Sequence, residues 1–369
     1  MSLECWKQVL SAGIAQSQIK LNSQQLKVFS HLTACRTAQA GSEVYACTHC
    51  GYQLRVHRSC RDRHCPGCQY RATQKWCELR RADVLPVTYY HLVFTLPHAL
   101  NGWVSCYPAK LYQLLFESVW HTLNSFGQSP KRLNGQLGVM AVLHTWGQTL
   151  FRHVHLHCLV PGGALTQTGQ WQAATSSYLF PVKALSHHYR GRMVGQLRQA
   201  RKKGSFDLIN DQRFDKMLSD LMNVKWNVYA KAASYGHDKL INYLGRYTRR
   251  IALTSNRLSN FNGEQVDLKY RDYRDNQQKV MPLSASELVR RFALHVLPRG
   301  FMRIRYYGFL ANAVRRKKLK EIRTALLVKP EELETSEELN QITVLACPQC
   351  GQNHWHFIGM SPRLLWEPG

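Results

Sequence analysis

The period of hydrophobic and polar positions changes several times along the chain, and each change marks an element. Residues 1–34 carry weak helical spacing at Val9, Leu10, Ile14, Leu21, Leu26 and Phe29 with a Gln-rich polar face, predicting one or two short helices. Residues 89–97 are β-branched and aromatic and close on Pro97, the signature of a strand. Helical spacing returns over 110–126 at Leu111, Leu114, Leu115, Val119 and Leu123. Two adjacent strands are predicted over 137–146 and 151–160, then a turn-rich stretch at 162–169 and a short strand at 177–182. A basic helix over 190–203 ends at Gly204, and a second helix covers 211–222. Residues 239–250 are helical in pattern, 251–258 read as a strand, 261–264 as a hairpin turn and 265–271 as its partner. Residues 284–294 form a further helix, with Ser284 and Ser286 as candidate caps before Glu287. Strands mixed with helices, without βαβ alternation, make the class α+β with an antiparallel sheet.

One strand carries an unusual alternation. In Phe151-Arg152-His153-Val154-His155-Leu156-His157-Cys158-Leu159-Val160-Pro161-Gly162-Gly163, residues two apart share a face. His153, His155 and His157 therefore point one way, while Val154, Leu156 and Cys158 face the core. Imidazole nitrogens suit divalent metals, so the histidine face is a candidate metal site.

Composition adds a partner. The chain has 369 residues, with 49 Lys+Arg against 23 Asp+Glu, a formal charge of +26. That excess points to a polyanion, most simply nucleic acid. No run of about 18 apolar residues and no signal-peptide pattern over 1–20 is present, so no membrane is expected and the chain reads as cytoplasmic. The twelve cysteines then argue for metal rather than disulfides.

Cys47-Thr48-His49-Cys50-Gly51 has the form of a zinc knuckle: two thiolates and a glycine for the tight turn. Cys65-Pro66-Gly67-Cys68 is a second knuckle after fourteen intervening residues. Cys47, Cys50, Cys65 and Cys68 form the economical tetrahedral set for structural Zn2+. Cys60, His57 and His64 lie between and could replace a ligand or support a second ion; Cys35 and Cys77 flank the site and read as packed thiols. Cys347-Pro348-Gln349-Cys350-Gly351 is a third knuckle, followed by His354 and His356 as possible further ligands. Arg61 and Arg63, with Arg55, Arg58 and Arg71, make the first zinc region basic.

Tyr243 and Tyr247 fall one turn apart on the 239–250 helix, with Arg246, Arg249 and Arg250 at the same end. Gly245 inside that helix costs about 1 kcal/mol relative to alanine, which suggests a close approach. Further on, Arg303, Arg305, Tyr306 and Tyr307, then Arg315, Arg316, Lys317 and Lys318, bring cations and aromatics together as a single-strand channel would. Tyrosine, with a pKa of about 10, is a poor nucleophile alone, but a metal ion that polarises a phosphate changes that balance.

These residues carry a resemblance. The chain resembles the two-tyrosine HUH transposases of the insertion sequence 91 family, the rolling-circle transposases of bacteria. The likeness runs through Ser59-Cys60-Arg61-Asp62-Arg63-His64-Cys65-Pro66, His91-Leu92-Val93-Phe94-Thr95-Leu96-Pro97, His153 to Gly163, Tyr243-Leu244-Gly245-Arg246-Tyr247, and Arg291-Phe292-Ala293-Leu294-His295. It implies an HUH fold: an antiparallel sheet with the metal on a central strand and a tyrosine helix alongside. His155 and His157 match the HUH pair, and Tyr243 and Tyr247 match the family's nucleophiles. Val154 stands where the family pattern has proline. The implied ion is Mg2+ or Mn2+, with His91 and His153 as candidates for a third ligand beside any Asn, Gln, Asp or Glu.

The expected organisation is an N-terminal helical segment (1–34), a zinc-binding domain (35–80), the HUH catalytic domain with the tyrosine helix (81–265), a basic DNA-binding region (266–345) and a C-terminal knuckle (346–369). Expected partners are single-stranded DNA at element ends and target DNA, in the bacterial nucleoid. No Walker A pattern is present, so strand separation falls to a host helicase or replication machinery. Rival readings are a plasmid replication initiator or relaxase, and a non-catalytic zinc DNA-binding protein.

Overall fold

The computed structural model describes residues 3–16, 19–175, 178–233, 245, 251–328 and 345–363. The chain forms two compact units, each assembled from separated stretches: Met1–Thr73, Leu253–Val296 and Glu334–Gly369 in one, Gln74–Ala252 and Leu297–Leu333 in the other. The sequential segments expected above are thus interleaved, because long-range pairing returns the chain to its own N-terminal part. Among the described residues no helix is long and apolar enough to cross a membrane.

The first unit contains α1 (Leu3–Gln16) and α2 (Ser23–Ala34). Asn22 and Gln25 cap α2 reciprocally, each side chain taking the other's backbone N–H. Trp6, Val9, Leu10, Val28, Phe29 and Leu32 are buried with Leu288, Val289 and Phe292 of the helix Ala285–Ala293. Trp6 meets the Phe292 ring edge-on at 5.5 Å. Gly13 lets α1 approach that helix: a Cβ there would clash with the Ala285 carbonyl. Ser284 caps the same helix as expected, its hydroxyl accepting from the Glu287 N–H.

A second layer of this unit holds β1 (Ser42–Cys47) between β2 (Gln53–His57) and β13 (Trp355–Ser361). α3 (Pro66–Arg81) starts at the second knuckle. A hairpin is formed by β10 (Gln265–Arg271) and β11 (Gln278–Ser284), with the short β9 (Leu258–Ser259) on the other side of β10. Residues 251–258 are not the expected strand: Ser255–Arg257 is a 3-10 turn, and only Leu258 enters a ladder. β11 escaped the sequence pattern because it contains Pro282, which its edge position tolerates.

The second unit is built on a five-stranded antiparallel sheet. It contains β3 (Tyr89–Thr95), β4 (Gly138–Trp146), β5 (Arg152–Pro161), β8 (Val228–Ala233) and β12 (Ile304–Gly308), in the order β12-β4-β5-β3-β8. Val154, Leu156, Cys158 and Val160 are fully buried on one face. They pack with α4 (Asn101–Cys106), α5 (Pro108–Gly127), α6 (Val182–Lys202) and α7 (Asp211–Asn223) through Trp103, Leu115, Tyr189 and Phe214. Burying one such side chain contributes about 1.5–3 kcal/mol, so this face sets the strand's register. The opposite face packs Tyr89, Met140, Val142 and Leu159 with Trp76 and Val84 at one end, and carries the histidines at the other.

The small sheet of β6 (Gly163–Leu165) and β7 (Trp171–Ala173) follows the Pro-Gly-Gly stop, where a Cβ on Gly163 would run into the Trp171 indole. The predicted strand at 177–182 is absent from its described part: Tyr178–Phe180 is a bend that buries Leu179 and Phe180 before Pro181 opens α6. The helix Arg315–Ala325 completes the described elements of this unit.

Candidate metal centres

None of the twelve cysteines is in a disulfide. Eight of them meet in two groups of four. Cys35, Cys60, Cys65 and Cys68 form the first, with Sγ–Sγ separations of 3.7 Å for Cys35–Cys68 and Cys35–Cys65 and 3.6 Å for Cys60–Cys68. Cys47, Cys50, Cys347 and Cys350 form the second, with Cys47–Cys350 and Cys50–Cys347 both at 3.6 Å. A tetrahedral zinc with bonds of about 2.3 Å spaces its sulfurs by about 3.8 Å, so both groups fit that ion.

The structure therefore divides the expected set Cys47, Cys50, Cys65 and Cys68 between two clusters. Cys60 joins the first, and so does Cys35, which sequence reasoning took for a packed thiol. His57 is instead 2.8 Å from the Ser42 hydroxyl, and His64 is 2.8 Å from an Asp62 oxygen. His354 and His356 stay outside the second cluster. The two knuckles of that cluster repeat one geometry: Gly51 N–H donates to Cys47 and Gly351 N–H to Cys347, with φ of 72° and 75° at the glycines. The backbone N–H of Cys50 holds the Cys47 thiol down to about 7, toward the thiolate a metal needs. Pairing of Cys47 with Trp355 in the β1–β13 ladder brings the knuckles together.

The third group is His144, His155 and His157, whose ligand nitrogens lie within 4.8 Å of one another. His155 and His157 alternate on β5 as predicted. His144 was missed; it stands directly opposite His155 on β4. The tight connection between β4 and β5, where Gly147 and Phe151 are hydrogen-bonded, sets that register, with an irregularity between His144 and Trp146. The His144 ring stacks on Trp146 at 4.6 Å, which fixes its direction.

Surrounding groups choose the ligating nitrogens. His155 Nδ1 donates to the His153 carbonyl oxygen at 2.8 Å, since a carbonyl only accepts, and Nε2 is thereby the ligand atom. His157 Nδ1 lies 2.7 Å from His91 Nε2, and the two rings stack 5.0 Å apart. Burial pulls His91 down to about 4, so it is neutral and offers one acceptor nitrogen. His91 thus touches a member of the trio without joining it. His153 shares the strand face but pairs with His98 Nε2 at 2.9 Å.

Tyr243, Tyr247, Arg246, Arg249 and Arg250 lie outside the described residues; Gly245 between them is helical and buried. Of the basic residues expected at DNA, Arg61, Arg316 and Lys317 are exposed, while Arg63 is half-buried. Arg303 precedes the edge strand Ile304–Gly308, whose residues are half-buried. The Arg305 guanidinium lies over Phe116 at 4.3 Å and Tyr307 stacks on Trp120 at 5.1 Å. Arg315 sits over the Tyr306 ring and pairs with Asp83 at 3.3 Å, and Lys318 pairs with Glu321 at 2.8 Å.

Among the described residues, fold and sites define an α+β protein with two groups of four cysteines and a group of three histidines on a sheet. Two families match it: one described as "Transposase zinc-binding domain" over residues 4–96 and one described as "Putative transposase" over residues 138–318. "Putative transposase y4qJ" of Sinorhizobium fredii is 40% identical over 351 residues, covering 90% of this chain and 88% of the relative. "Transposase for insertion sequence element IS801" of Pseudomonas savastanoi pv. phaseolicola is 27% identical over 326 residues, covering 84% and 75%. No solved structure matches. The chain belongs to the insertion sequence 91 family of transposases. Membership carries DNA as substrate, strand cleavage and transfer as activity, and structural zinc in the cysteine clusters.

Proposed function

We propose that the protein nicks and rejoins single-stranded DNA at the ends of a mobile element through 5′-phosphotyrosine intermediates, moving the element by a rolling-circle route. The observation that carries this reading is the trio His144, His155 and His157, three imidazoles on two paired strands. Such a set supports a catalytic ion, because three ligands leave coordination positions for substrate. A divalent ion held by His144, His155 and His157 would supply polarisation of the scissile phosphate and stabilisation of charge on the leaving oxygen.

The chain's own residues do the rest. The His153 carbonyl orients His155, and His91 lies against His157, so each imidazole is held on the side away from the trio's centre. On the family's pattern, the Tyr243 or Tyr247 oxygen attacks phosphorus, the P–O3′ bond breaks, and the 5′ phosphate stays on tyrosine. Arg246, Arg249 and Arg250 supply positive charge for that phosphate. The phosphotyrosine keeps the bond energy, so a 3′-OH later attacks it and frees the tyrosine without a nucleotide cofactor. Two tyrosines serve the two cuts of one transfer. Of Mg2+ and Mn2+, the three-imidazole set favours the softer Mn2+. A host helicase or replication machinery supplies the single strand.

Suicide oligonucleotides carrying element ends test the reading. With Mg2+ or Mn2+ the protein should form covalent adducts that map to Tyr243 and Tyr247. Adducts at one tyrosine alone, with the other Tyr→Phe variant transposing normally, contradict the two-nucleophile mechanism. Failure to cut any single strand contradicts the nuclease reading as a whole.

A further inference from the structure

We propose that β8 is the platform on which single-stranded DNA lies beside the histidine trio, with Tyr229 stacking a base next to the scissile phosphate and Lys231 pairing a neighbouring phosphate. The inference rests on the single-strand reading above.

Among the described residues β8 is the last strand of its sheet. Val228, Ala230 and Ala232 pack against the main core. The alternate residues Asn227, Tyr229 and Lys231 are exposed, Tyr229 by 52%. Single exposed aromatics are ordinary on a surface, so position decides. Tyr229 is opposite Val93 on β3, and Val93 is opposite His157 on β5. Cross-strand partners share a face, and two strand spacings amount to about 10 Å. Tyr229 therefore stands on the histidine face, about 10 Å from the trio. The His91 ring bridges the gap, 6.4 Å from Tyr229 and 5.0 Å from His157.

Lys231 is opposite His91, on the same row. A cation one residue pair from an exposed ring matches a strand whose bases stack and whose phosphates pair. A base offers its π-face whatever its identity, so this platform holds DNA without reading sequence.

Binding of full-length protein to single-stranded and duplex oligonucleotides, with no Mg2+ or Mn2+ added, tests the idea. Tyr229→Ala should weaken single-strand binding by about 5- to 150-fold, the range for loss of one stacked base. Tyr229→Phe should restore it, and duplex binding should be unaffected. Lys231→Ala should lower the salt slope by about 0.7, one phosphate contact. Independently of any variant, ultraviolet cross-linking of wild-type protein to strands with iodouracil beside the cleavage position should label tryptic peptide 226–231. Wild-type protein that binds and cuts single strands, yet cross-links elsewhere and is indifferent to Tyr229→Ala, overturns the platform alone. Wild-type protein that neither binds nor cuts them overturns the platform together with the reading it rests on.

Discussion

The cysteine clusters and the histidine trio are built in opposite ways. One cysteine cluster joins distant stretches, Cys47 and Cys50 with Cys347 and Cys350, and the other gathers Cys35, Cys60, Cys65 and Cys68 from loops and helix ends of one N-terminal stretch. Four ligands close a tetrahedral shell and leave no position for substrate. The trio instead comes from two neighbouring strands whose other faces are already held by core packing, and three ligands leave the shell open. In the first region metal organises the chain; in the second the chain is organised before metal. Removing metal should therefore unfold one region and only silence the other.

The largest effect should follow zinc removal. Structural zinc sites contribute on the order of 10 kcal/mol, so a strong chelator should abolish the zinc unit's melting transition, and metal analysis should give two zinc ions per native chain. A stripped protein that melts unchanged breaks the comparison. Next comes Cys347→Ser combined with Cys350→Ser. It should release one zinc and the β13 pairing while Cys35, Cys60, Cys65 and Cys68 keep theirs; loss of both ions or neither would show the clusters are wrongly divided.

A smaller effect is expected at His91. His91→Phe removes the imidazole nitrogen facing His157 Nδ1 and should weaken Mn2+ binding about 10- to 100-fold with little change in melting. An unchanged Mn2+ affinity would mean His157 is oriented by something else. The smallest concerns a salt bridge in the zinc unit. Hydrogen bonds from Arg290 and Arg291 hold the Glu287 carboxyl down to about 2. A carboxyl lowered on folding stabilises above its unfolded pKa, and that share is lost as pH falls from about 4.5 toward 2. Glu287→Gln should flatten this slope, by about 1 kcal/mol for a half-exposed carboxylate. A larger loss would make charge pairing, rather than zinc, the main tie there.

What sequence made legible follows the reach of each pattern. Alternation is local, so His155 and His157 were visible on β5 beside an apolar face. His144 was a lone histidine in an apolar strand; counting back through the tight turn between β4 and β5 could have paired it with His155. Knuckle spacing is also local, so it found Cys47–Cys50, Cys65–Cys68 and Cys347–Cys350 but not which of them meet. That depends on β13 returning to β1 across some 300 residues of chain. Period-two reading failed at Leu179–Phe180, where apolar side chains fill the core from a bend, and at 251–258, where a 3-10 turn interrupts.

The account turns on the open trio, and His144 is its least anticipated member. Covalent trapping of a suicide oligonucleotide by His144→Ala, with zinc content, melting temperature and Mn2+ affinity measured on the same preparation, addresses it most directly. The account predicts both zinc ions retained, melting within a few degrees of wild type, Mn2+ affinity reduced at least tenfold, and adduct formation reduced at least a hundredfold, about 2.7 kcal/mol of transition-state stabilisation. A variant that binds Mn2+ and forms adducts at the wild-type level would contradict it.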